Sequence, residues 1–220
     1  MTPRKIIIDT DPGQDDAVAI LLALGSPDEI EVLGITAVAG NVPLALTEKN
    51  TRIVCELAGR PDIPVYAGCD RPLGRPLVTA EHVHGQTGLD GPSLPDPTMP
   101  LQAQHAVDYI IDTLRAHDAG TVTLCPLGPL TNIATALQRA PDIAEKVQQI
   151  VLMGGAYFEV GNITPAAEFN IYVEPLISCF NPASTSWSCR WMSRTRRWSP
   201  PRATTRSATS ARRWALPWRK

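Results

Sequence analysis

The sequence predicts an α/β fold with a mostly parallel, Rossmann-like sheet and flanking helices. Short apolar runs rich in β-branched residues alternate with longer stretches of helical periodicity, which is the order that βαβ units produce. The first run, Ile6 to Ile8, suits a central strand that is buried on both faces. Polar residues follow the ends of most runs, and open α/β sheets bind ligands at that edge.

The elements follow one another in a regular order. The first strand ends where Pro12 and Gly13 interrupt the apolar pattern, and a helix over 17–24 comes next. The remaining strands are predicted at 31–38, 64–67, 121–125 and 149–153, and the remaining helices at 44–57, 103–116 and 130–137. Residues 70–100 are rich in Pro and Gly and too polar for a core, so they predict a long functional loop.

Four aspartates, Asp9, Asp11, Asp15 and Asp16, lie within eight residues at the end of the first strand. Like charges so close together repel unless a cation joins them, and a hard divalent cation with oxygen ligands resolves the repulsion. Helix capping is the structural alternative, but it accounts for one or two acids and not for four. A haloacid-dehalogenase-type phosphatase would have Thr or Val where Gly13 stands, and a calcium hand would have Glu where Ile20 stands.

The composition changes abruptly near Pro175. Residues 1–175 hold 22 acidic and 10 basic residues, a net charge of −12, whereas residues 176–220 hold 10 basic residues, no acid and all five tryptophans. A basic tail with aromatics is typical of a nucleic-acid or membrane arm. Codon logic favours another explanation, so the prediction is one incomplete domain over 1–175, an aberrant tail over 176–220, and no nucleic-acid or membrane partner.

The codons of the tail indicate a shifted reading frame. Trp and Met each have a single codon, so Trp191 and Met192 together encode an aspartate when they are read from the last base of the Trp codon. Permitted codons from residue 176 onward yield ADIVFQSGIDVVVMPMDVTHKAV in that frame, with an acid, an amphipathic pattern and a turn glycine that the written tail lacks. We therefore predict an insertion or deletion near codons 174 and 175, and a poorly ordered tail.

Further polar residues are expected to share a rim with the acids. Asn41 follows the second strand, Thr131 and Asn132 follow the fourth, and the fifth is followed by Asn162, Glu168 and Asn170. Singly, these residues also suit turns and helix caps. His82 and His84 lie in the long loop. Two histidines are weak support for a transition-metal site, and a solvent-exposed His or one that stacks on a substrate is favoured.

Other features bound the class of protein. No apolar window reaches eighteen residues and no signal-peptide pattern begins the chain, which predicts a soluble cytoplasmic protein. Cys55, Cys69 and Cys125 lack metal-ligand spacing and are expected to be reduced.

Six motifs resemble the inosine-uridine-preferring nucleoside hydrolases and occur in that family's order. They are DTDPGQDDA from Asp9, AVAGN at 37–41, HVHGQTGLDG at 82–91, LGPLTNIA at 127–134, VLMGGA at 151–156 and AEFNIYVEP at 167–175. The resemblance covers residues 4–175 and implies the nucleoside hydrolase fold with its C-terminal part missing. It also implies Ca²⁺-dependent hydrolysis of the N-glycosidic bond of ribonucleosides to ribose and free base, in purine and pyrimidine salvage.

The resemblance also implies roles for individual residues. Asp11 and Asp16 resemble side-chain calcium ligands, and Thr131 resembles a ligand through its backbone carbonyl. Asp11 further resembles the base that takes a proton from calcium-bound water. The substrate-binding set is implied to be Asp15, Asn41, His84, Met153, Asn162, Glu168 and Asn170.

The chain departs from the family after residue 175. The family's further calcium-ligand Asp and its leaving-group His lie in a C-terminal part that the written tail replaces, and the shifted frame restores an aspartate at 191–192. The expectation is therefore a nucleoside hydrolase by origin whose activity is impaired. A non-catalytic remnant that binds calcium and ribose, or a metal-dependent phosphatase, is the alternative. Intact relatives are expected to be dimers or tetramers.

Overall fold

The computed structural model describes residues 2–91 and 93–153, together with the backbone of residues 190–192. The strands are β1 (Arg4–Thr10), β2 (Ile30–Ala37), β3 (Val65–Ala67), β4 (Val122–Pro126), β5 (Val147–Met153) and β6 (Arg190–Met192). The α-helices are α1 (Gln14–Leu24), α2 (Leu44–Leu57), α3 (Glu81–His84), α4 (Ala106–Ala116) and α5 (Thr131–Arg139), and Pro141–Lys146 forms a 3₁₀ helix.

The strands form one sheet in the order β3-β2-β1-β4-β5-β6, and every neighbouring pair is parallel. This confirms the predicted α/β class with a mostly parallel sheet. The tail prediction falls outside the described residues except for β6, whose backbone pairs with β5. None of the described helices is long and apolar enough to cross a bilayer.

The core lies on both faces of the sheet because β1 sends alternate side chains to opposite sides. Ile7 packs with residues of α4 and α5, whereas Ile6 and Ile8 pack with residues of α1 and α2. These three isoleucines are at most 5% exposed. Burial of apolar side chains is the main stabilising contribution to such a domain. The buried isoleucines of β1 therefore hold the carboxyl end of the strand in a fixed place.

Several predicted boundaries shift by two or three residues. Helix α1 begins at Gln14 instead of residue 17, so Asp15 and Asp16 lie inside its first turn, where the helix dipole favours negative charge. Helix α4 begins at Ala106 instead of 103 because the Nδ1 of His105 accepts a hydrogen bond from the Val107 amide at 3.2 Å and caps it. The short helix α3 lies within the segment that was predicted to be a loop.

Candidate active site

The candidate site lies at the carboxyl end of β1, where the strand order reverses. The chain runs from β1 outward to β2 and β3, and then returns to pair β4 with the other side of β1. The loops that leave β1 and β4 therefore diverge, and a crevice forms between them. Asp11 stands in the loop directly after β1.

Asp11 is fully buried against the loop after β2. Its Oδ2 accepts a hydrogen bond from the Asn41 backbone amide at 2.7 Å, and its carbonyl accepts one from the Asn41 side-chain amide at 2.9 Å. Its other carboxyl oxygen, Oδ1, is buried and has no hydrogen-bond partner among the described residues. Burial and the charge of Asp16 raise the pKa of Asp11 well above its ordinary value.

Two glycines make room for the Asp11 carboxyl group. A Cβ atom on Gly40 would overlap Oδ2, and a Cβ atom on Gly128 would overlap Oδ1. These glycines come from the loops after β2 and β4, so the carboxyl group is enclosed from both neighbouring strands. Neither glycine was predicted as a site residue, although each lies two or three residues after the end of a predicted strand.

Asp16 joins Asp11 from the first turn of α1. It is 6% exposed, and its Oδ2 accepts a hydrogen bond from the Thr10 hydroxyl at 3.1 Å. Burial and the charge of Asp15 raise the pKa of Asp16 to about 7, while hydrogen bonds, including one with the Asp11 side chain, oppose the rise. The structure thus brings together the two side chains that were predicted to be metal ligands.

Asp9, near the end of β1, links this strand to β2 and α5 through hydrogen bonds. Its Oδ1 accepts hydrogen bonds from the Thr36 hydroxyl at 2.5 Å and from the Asn132 amide at 2.8 Å. Burial raises the pKa of Asp9 to about 7 against the effect of these bonds. The second oxygen of Asp9 is buried and has no hydrogen-bond partner within the described part of the chain.

Asn132 links four segments of the chain. Besides Asp9 on β1, its side-chain amide donates to the Ala37 carbonyl at the end of β2 at 3.1 Å. Its Oδ1 accepts from the Cys69 amide after β3 at 2.8 Å, while its own backbone belongs to α5. A Cβ atom on Gly68 would overlap the Asn132 side chain, so this glycine has the same function as Gly40 and Gly128.

Thr131 is buried and is the first residue of α5. Its carbonyl, the group predicted as a backbone ligand, accepts a hydrogen bond from the Thr135 hydroxyl at 2.7 Å. The turn that contains Gly128 connects Thr131 to the Asp11 pocket.

The remaining predicted residues divide into two groups. Asn41 is buried beside Asp11, Asp15 is exposed in the first turn of α1, His84 is half-buried at the end of α3, and Met153 is half-buried at the end of β5. Asn162, Glu168 and Asn170 lie outside the described residues. Within 2–91 and 93–153, no three His, Cys, Asp or Glu side chains form a group able to hold a metal ion by themselves.

Comparison with known proteins identifies the family. A family profile described as inosine-uridine preferring nucleoside hydrolase matches residues 6–176. The chain is 61% identical over 171 residues to an uncharacterized protein of Schizosaccharomyces pombe, which covers 78% of this chain and 55% of that protein. It is 49% identical over 174 residues to the inosine-uridine preferring nucleoside hydrolase of Crithidia fasciculata, which covers 79% of this chain and 55% of the relative.

The fold agrees with this comparison. A solved plant nucleoside hydrolase superposes with a TM-score of 0.67 at 41% sequence identity, covering 74% of this chain and 51% of the plant protein. The chain spans about half the length of the curated relatives that it matches. The order of the strands, the acids after β1 and these matches together show that the chain belongs to the inosine-uridine preferring nucleoside hydrolase family.

Proposed function

We propose that the domain formed by residues 1–175 derives from a ribonucleoside hydrolase that cleaves the N-glycosidic bond to release ribose and a free base. The observation that carries this proposal is the buried pair Asp11 and Asp16 at the reversal of strand order. A buried carboxyl group without a positive partner is costly, and such groups are typical of functional sites. The named activities of the family members support the same reaction.

Calcium fits the donor atoms that are present. The buried Oδ1 of Asp11 has no hydrogen-bond partner among the described residues, and Asp16 lies beside it. Oxygen donors of this kind, carboxylate and carbonyl, are the ligands that Ca²⁺ prefers. In this proposal Asp11, Asp16 and the Thr131 carbonyl hold the ion, whose positive charge would offset the repulsion between the acids and lower the pKa of a nearby water molecule.

Asp11 would act as the general base. A water oxygen attacks C1′ of the ribose, one proton of that water passes to Asp11, the bond from C1′ to nitrogen breaks, and its electron pair leaves with the base. Positive charge develops on the ribose ring during this step, so negative groups around the sugar stabilise the transition state. The hydrogen bond from the Asn41 amide fixes the orientation of the Asp11 carboxyl group, as a proton acceptor requires.

The sugar would be held by residues on the rim of the crevice. Asp15, Asn41, His84 and Met153 supply this set from the described residues, and Asn162, Glu168 and Asn170 complete it in the family resemblance. Carboxylates and amides accept and donate hydrogen bonds to hydroxyl groups, which suits a ribose. Cytoplasmic location, nucleoside salvage and assembly into a homo-oligomer remain predictions.

We further propose that residues 176–220 are translated out of frame and that the 220-residue chain is impaired. The family match ends at residue 176, where the composition changes. The match to about half of each relative favours a second candidate, a non-catalytic domain that binds calcium and ribose. Loss of a charged calcium ligand would weaken metal binding and turnover together.

The test has a genetic arm and a biochemical arm. The gene is sequenced across codons 170–180, and the 220-residue chain and the frame-corrected protein are assayed on inosine and uridine with Ca²⁺ and with a chelator. We expect base release from the corrected protein, dependent on Ca²⁺, and little or none from the 220-residue chain. Calcium binding without base release by both proteins would identify the binding domain instead. An intact frame in the gene would overturn the proposal about the tail.

A further inference from the structure

The flap, which we define as residues 81–91, is a folded unit. It contains α3 and the segment that follows it. The Asp90 carboxylate accepts hydrogen bonds from the Gln86 amide at 3.0 Å, from the Thr87 amide at 3.0 Å and from the Thr87 hydroxyl at 2.5 Å. These bonds close the flap on itself, so it moves or stays in place as one body.

Gln14 binds this unit to the start of α1. Its side-chain nitrogen donates hydrogen bonds to the carbonyls of His84 at 3.2 Å and Asp90 at 3.3 Å. Its side-chain oxygen is 2.7 Å from Nδ1 of His84. One exposed side chain therefore makes three polar contacts with the flap, at both ends of the Gly85–Leu89 segment.

These contacts determine which ring nitrogen of His84 carries hydrogen. Two carbonyl oxygens accept from Nε2 of Gln14, which fixes the amide with its oxygen toward His84. An amide oxygen only accepts, so Nδ1 of His84 must donate. On the neutral ring, Nε2 then carries a lone pair and accepts a hydrogen bond. The ring also packs on Gly13, where a Cβ atom would overlap Nδ1.

We propose that Gln14 is a positioning residue that holds the flap over the acid site and sets His84 in the tautomer whose Nε2 accepts a hydrogen bond from the ligand. Gln14 directly precedes Asp15 and Asp16, and the Ala80 amide, next to the flap, donates to the Asn41 carbonyl at 2.8 Å. The flap is thus attached to the start of α1 through Gln14, and the residue before the flap is attached to the loop after β2, one of the two loops that enclose Asp11. The inference rests on the proposed function only in taking the ligand to be a nucleoside, whose hydroxyl groups are donors.

The tautomer is tested first on the unaltered 220-residue chain. Histidine ¹⁵N chemical shifts and two-bond couplings distinguish a ring protonated at Nδ1 from one protonated at Nε2, and a His84→Gln variant assigns the signals. On the neutral ring of His84 we expect the hydrogen on Nδ1. A neutral ring with hydrogen on Nε2 overturns the assignment without any variant of Gln14, and the measurement requires no turnover.

The attachment of the flap is tested with Gln14→Met, which keeps the length of the side chain and removes its polar atoms. The matched control is Gln86→Met in the flap itself, because Gln86 is also an exposed glutamine. We expect amide hydrogen exchange over 81–91 to become about tenfold faster in Gln14→Met and to stay unchanged in the control, the scale of one or two partly exposed hydrogen bonds. Equal exchange in Gln14→Met and the wild type would contradict the proposal.

Gln14→Glu separates the attachment of the flap from the tautomer of His84. It also tests the proposal if Gln14→Met does not fold. It retains an oxygen acceptor for His84 but loses the donor to the two carbonyls. We expect the His84 tautomer to be retained while exchange over 81–91 increases. Retention of both the tautomer and the slow exchange would show that the Gln14 amide donor does not hold the flap in place.

If the frame-corrected protein hydrolyses nucleosides, Gln14→Met should raise KM several-fold and change kcat little. The reason is that the population with the flap in place falls before the ligand binds. A fall in kcat with unchanged KM would oppose a positioning role. If no nucleoside is hydrolysed, the tautomer and exchange results still decide the inference, so its failure and that of the proposed function are distinguishable.

Discussion

The floor of the site and its flap are held in different ways. The floor, which we define as Asp9, Asp11, Asp16, Thr36 and Asn132, is at most 6% exposed. Its side chains bond to atoms on β1, on β2, on α5 and on the loops that follow β2 and β3. The flap, in contrast, lies on the surface and is attached through two amide side chains. One is the exposed Gln14 of α1, and the other is the buried Asn50 of α2, which donates to the Thr87 carbonyl at 2.7 Å.

This difference has a physical basis. A buried polar group that loses its partner loses the full free energy of its hydration, so the partners in the floor determine one another's positions. An exposed hydrogen bond exchanges with water at a small net cost, so the contacts that Gln14 makes with the flap are replaceable. The floor suits the fixed geometry that proton transfer needs, and the flap suits entry and exit of a ligand.

The largest effect is expected from Asp11→Ala in the frame-corrected protein. Removing the proposed base should lower kcat roughly a thousandfold, the scale of general base catalysis. The fold should be retained, because the repulsion between the buried Asp11 and Asp16 disappears and offsets the loss of the acceptor for the Asn41 amide. Initial rates of base release and the circular dichroism spectrum measure the two outcomes. Asp28→Ala, at an exposed aspartate before β2, is the control. Retained hydrolysis in Asp11→Ala would refute the assigned role.

Asn132→Leu should test whether the floor is held by its buried hydrogen bonds. The substitution keeps the approximate size of the side chain but removes the donor to Asp9 and the acceptor for the Cys69 amide. We expect a loss of about 2–4 kcal/mol in the free energy of unfolding, measured by urea titration.

Thr123→Val is the control for that substitution, since it removes one bond, to the Gln148 side chain. Its cost should be about 1 kcal/mol or less. Equal costs at the two positions would mean that the floor has no special dependence on Asn132.

Gly128→Ala should disturb the enclosure of Asp11 with a smaller loss of stability. The added Cβ atom would meet Oδ1, Cγ and the backbone nitrogen of Asp11, none of which is the free end of a flexible side chain. We expect a loss of about 1–3 kcal/mol, typical of overpacking, together with weaker calcium binding in calorimetry.

Gly25→Ala is the matched substitution, because the φ angle of Gly25 is −80° and its new Cβ atom would lie 3.1 Å from the Leu21 carbonyl oxygen. It should leave calcium binding unchanged. Equal calcium binding in the wild type and in Gly128→Ala would argue against a ligand at Asp11.

The smallest effect is expected from Glu56→Gln in α2, whose side chain binds the C-terminal end of the long loop. Oε1 of Glu56 accepts hydrogen bonds from the Thr98 amide and hydroxyl, each at 2.7 Å, and from the Met99 amide at 2.6 Å. The Thr98 hydroxyl is the main cause that lowers the pKa of Glu56 below its ordinary 4.5. A lowered pKa stabilises the fold above pH 4.5, and this contribution is lost as the pH falls through the lowered value.

Urea midpoints at pH 7 and at pH 3 measure this effect. Glu56→Gln should be less stable than the wild type at pH 7, and the difference should shrink at pH 3. Glu29→Gln, at an exposed glutamate, is the control for the removal of one surface carboxylate. If the wild type and Glu56→Gln differ in stability as much at pH 3 as at pH 7, the charge of Glu56 does not stabilise the loop.

Much of the fold was predictable because its signals are local. The bounds of α2 agree with the predicted 44–57, since apolar residues at helical spacing and the preceding Pro43 define it within one segment. The pairing of Asp11 with Asp16 was also predictable, because they are only five positions apart, across one turn of the chain. Asn41 was expected at the rim because it follows a parallel strand, and the structure places it against Asp11.

Other parts of the site depend on residues far apart in the chain. Asn132 bonds to Asp9 across 123 positions, and His84 meets Gln14 across 70. Nothing in the pattern around Gln14 distinguishes it from any exposed residue at the start of a helix. The glycines at 40, 68 and 128 indicate close approach, but the atom that approaches each of them belongs to a distant segment.

Hydrophobic periodicity and the acids after the first strand determined the α/β class, the strand that carries the site and the residue types available for chemistry. These properties act over a few residues, so the chain specifies them locally. Only the tertiary structure decided which oxygen of Asp11 is left without a hydrogen-bond partner among the described residues, which glycines admit its carboxyl group and which side chain holds the flap. Those outcomes depend on long-range packing, in which each buried polar group takes whichever partner the folded strands bring within reach.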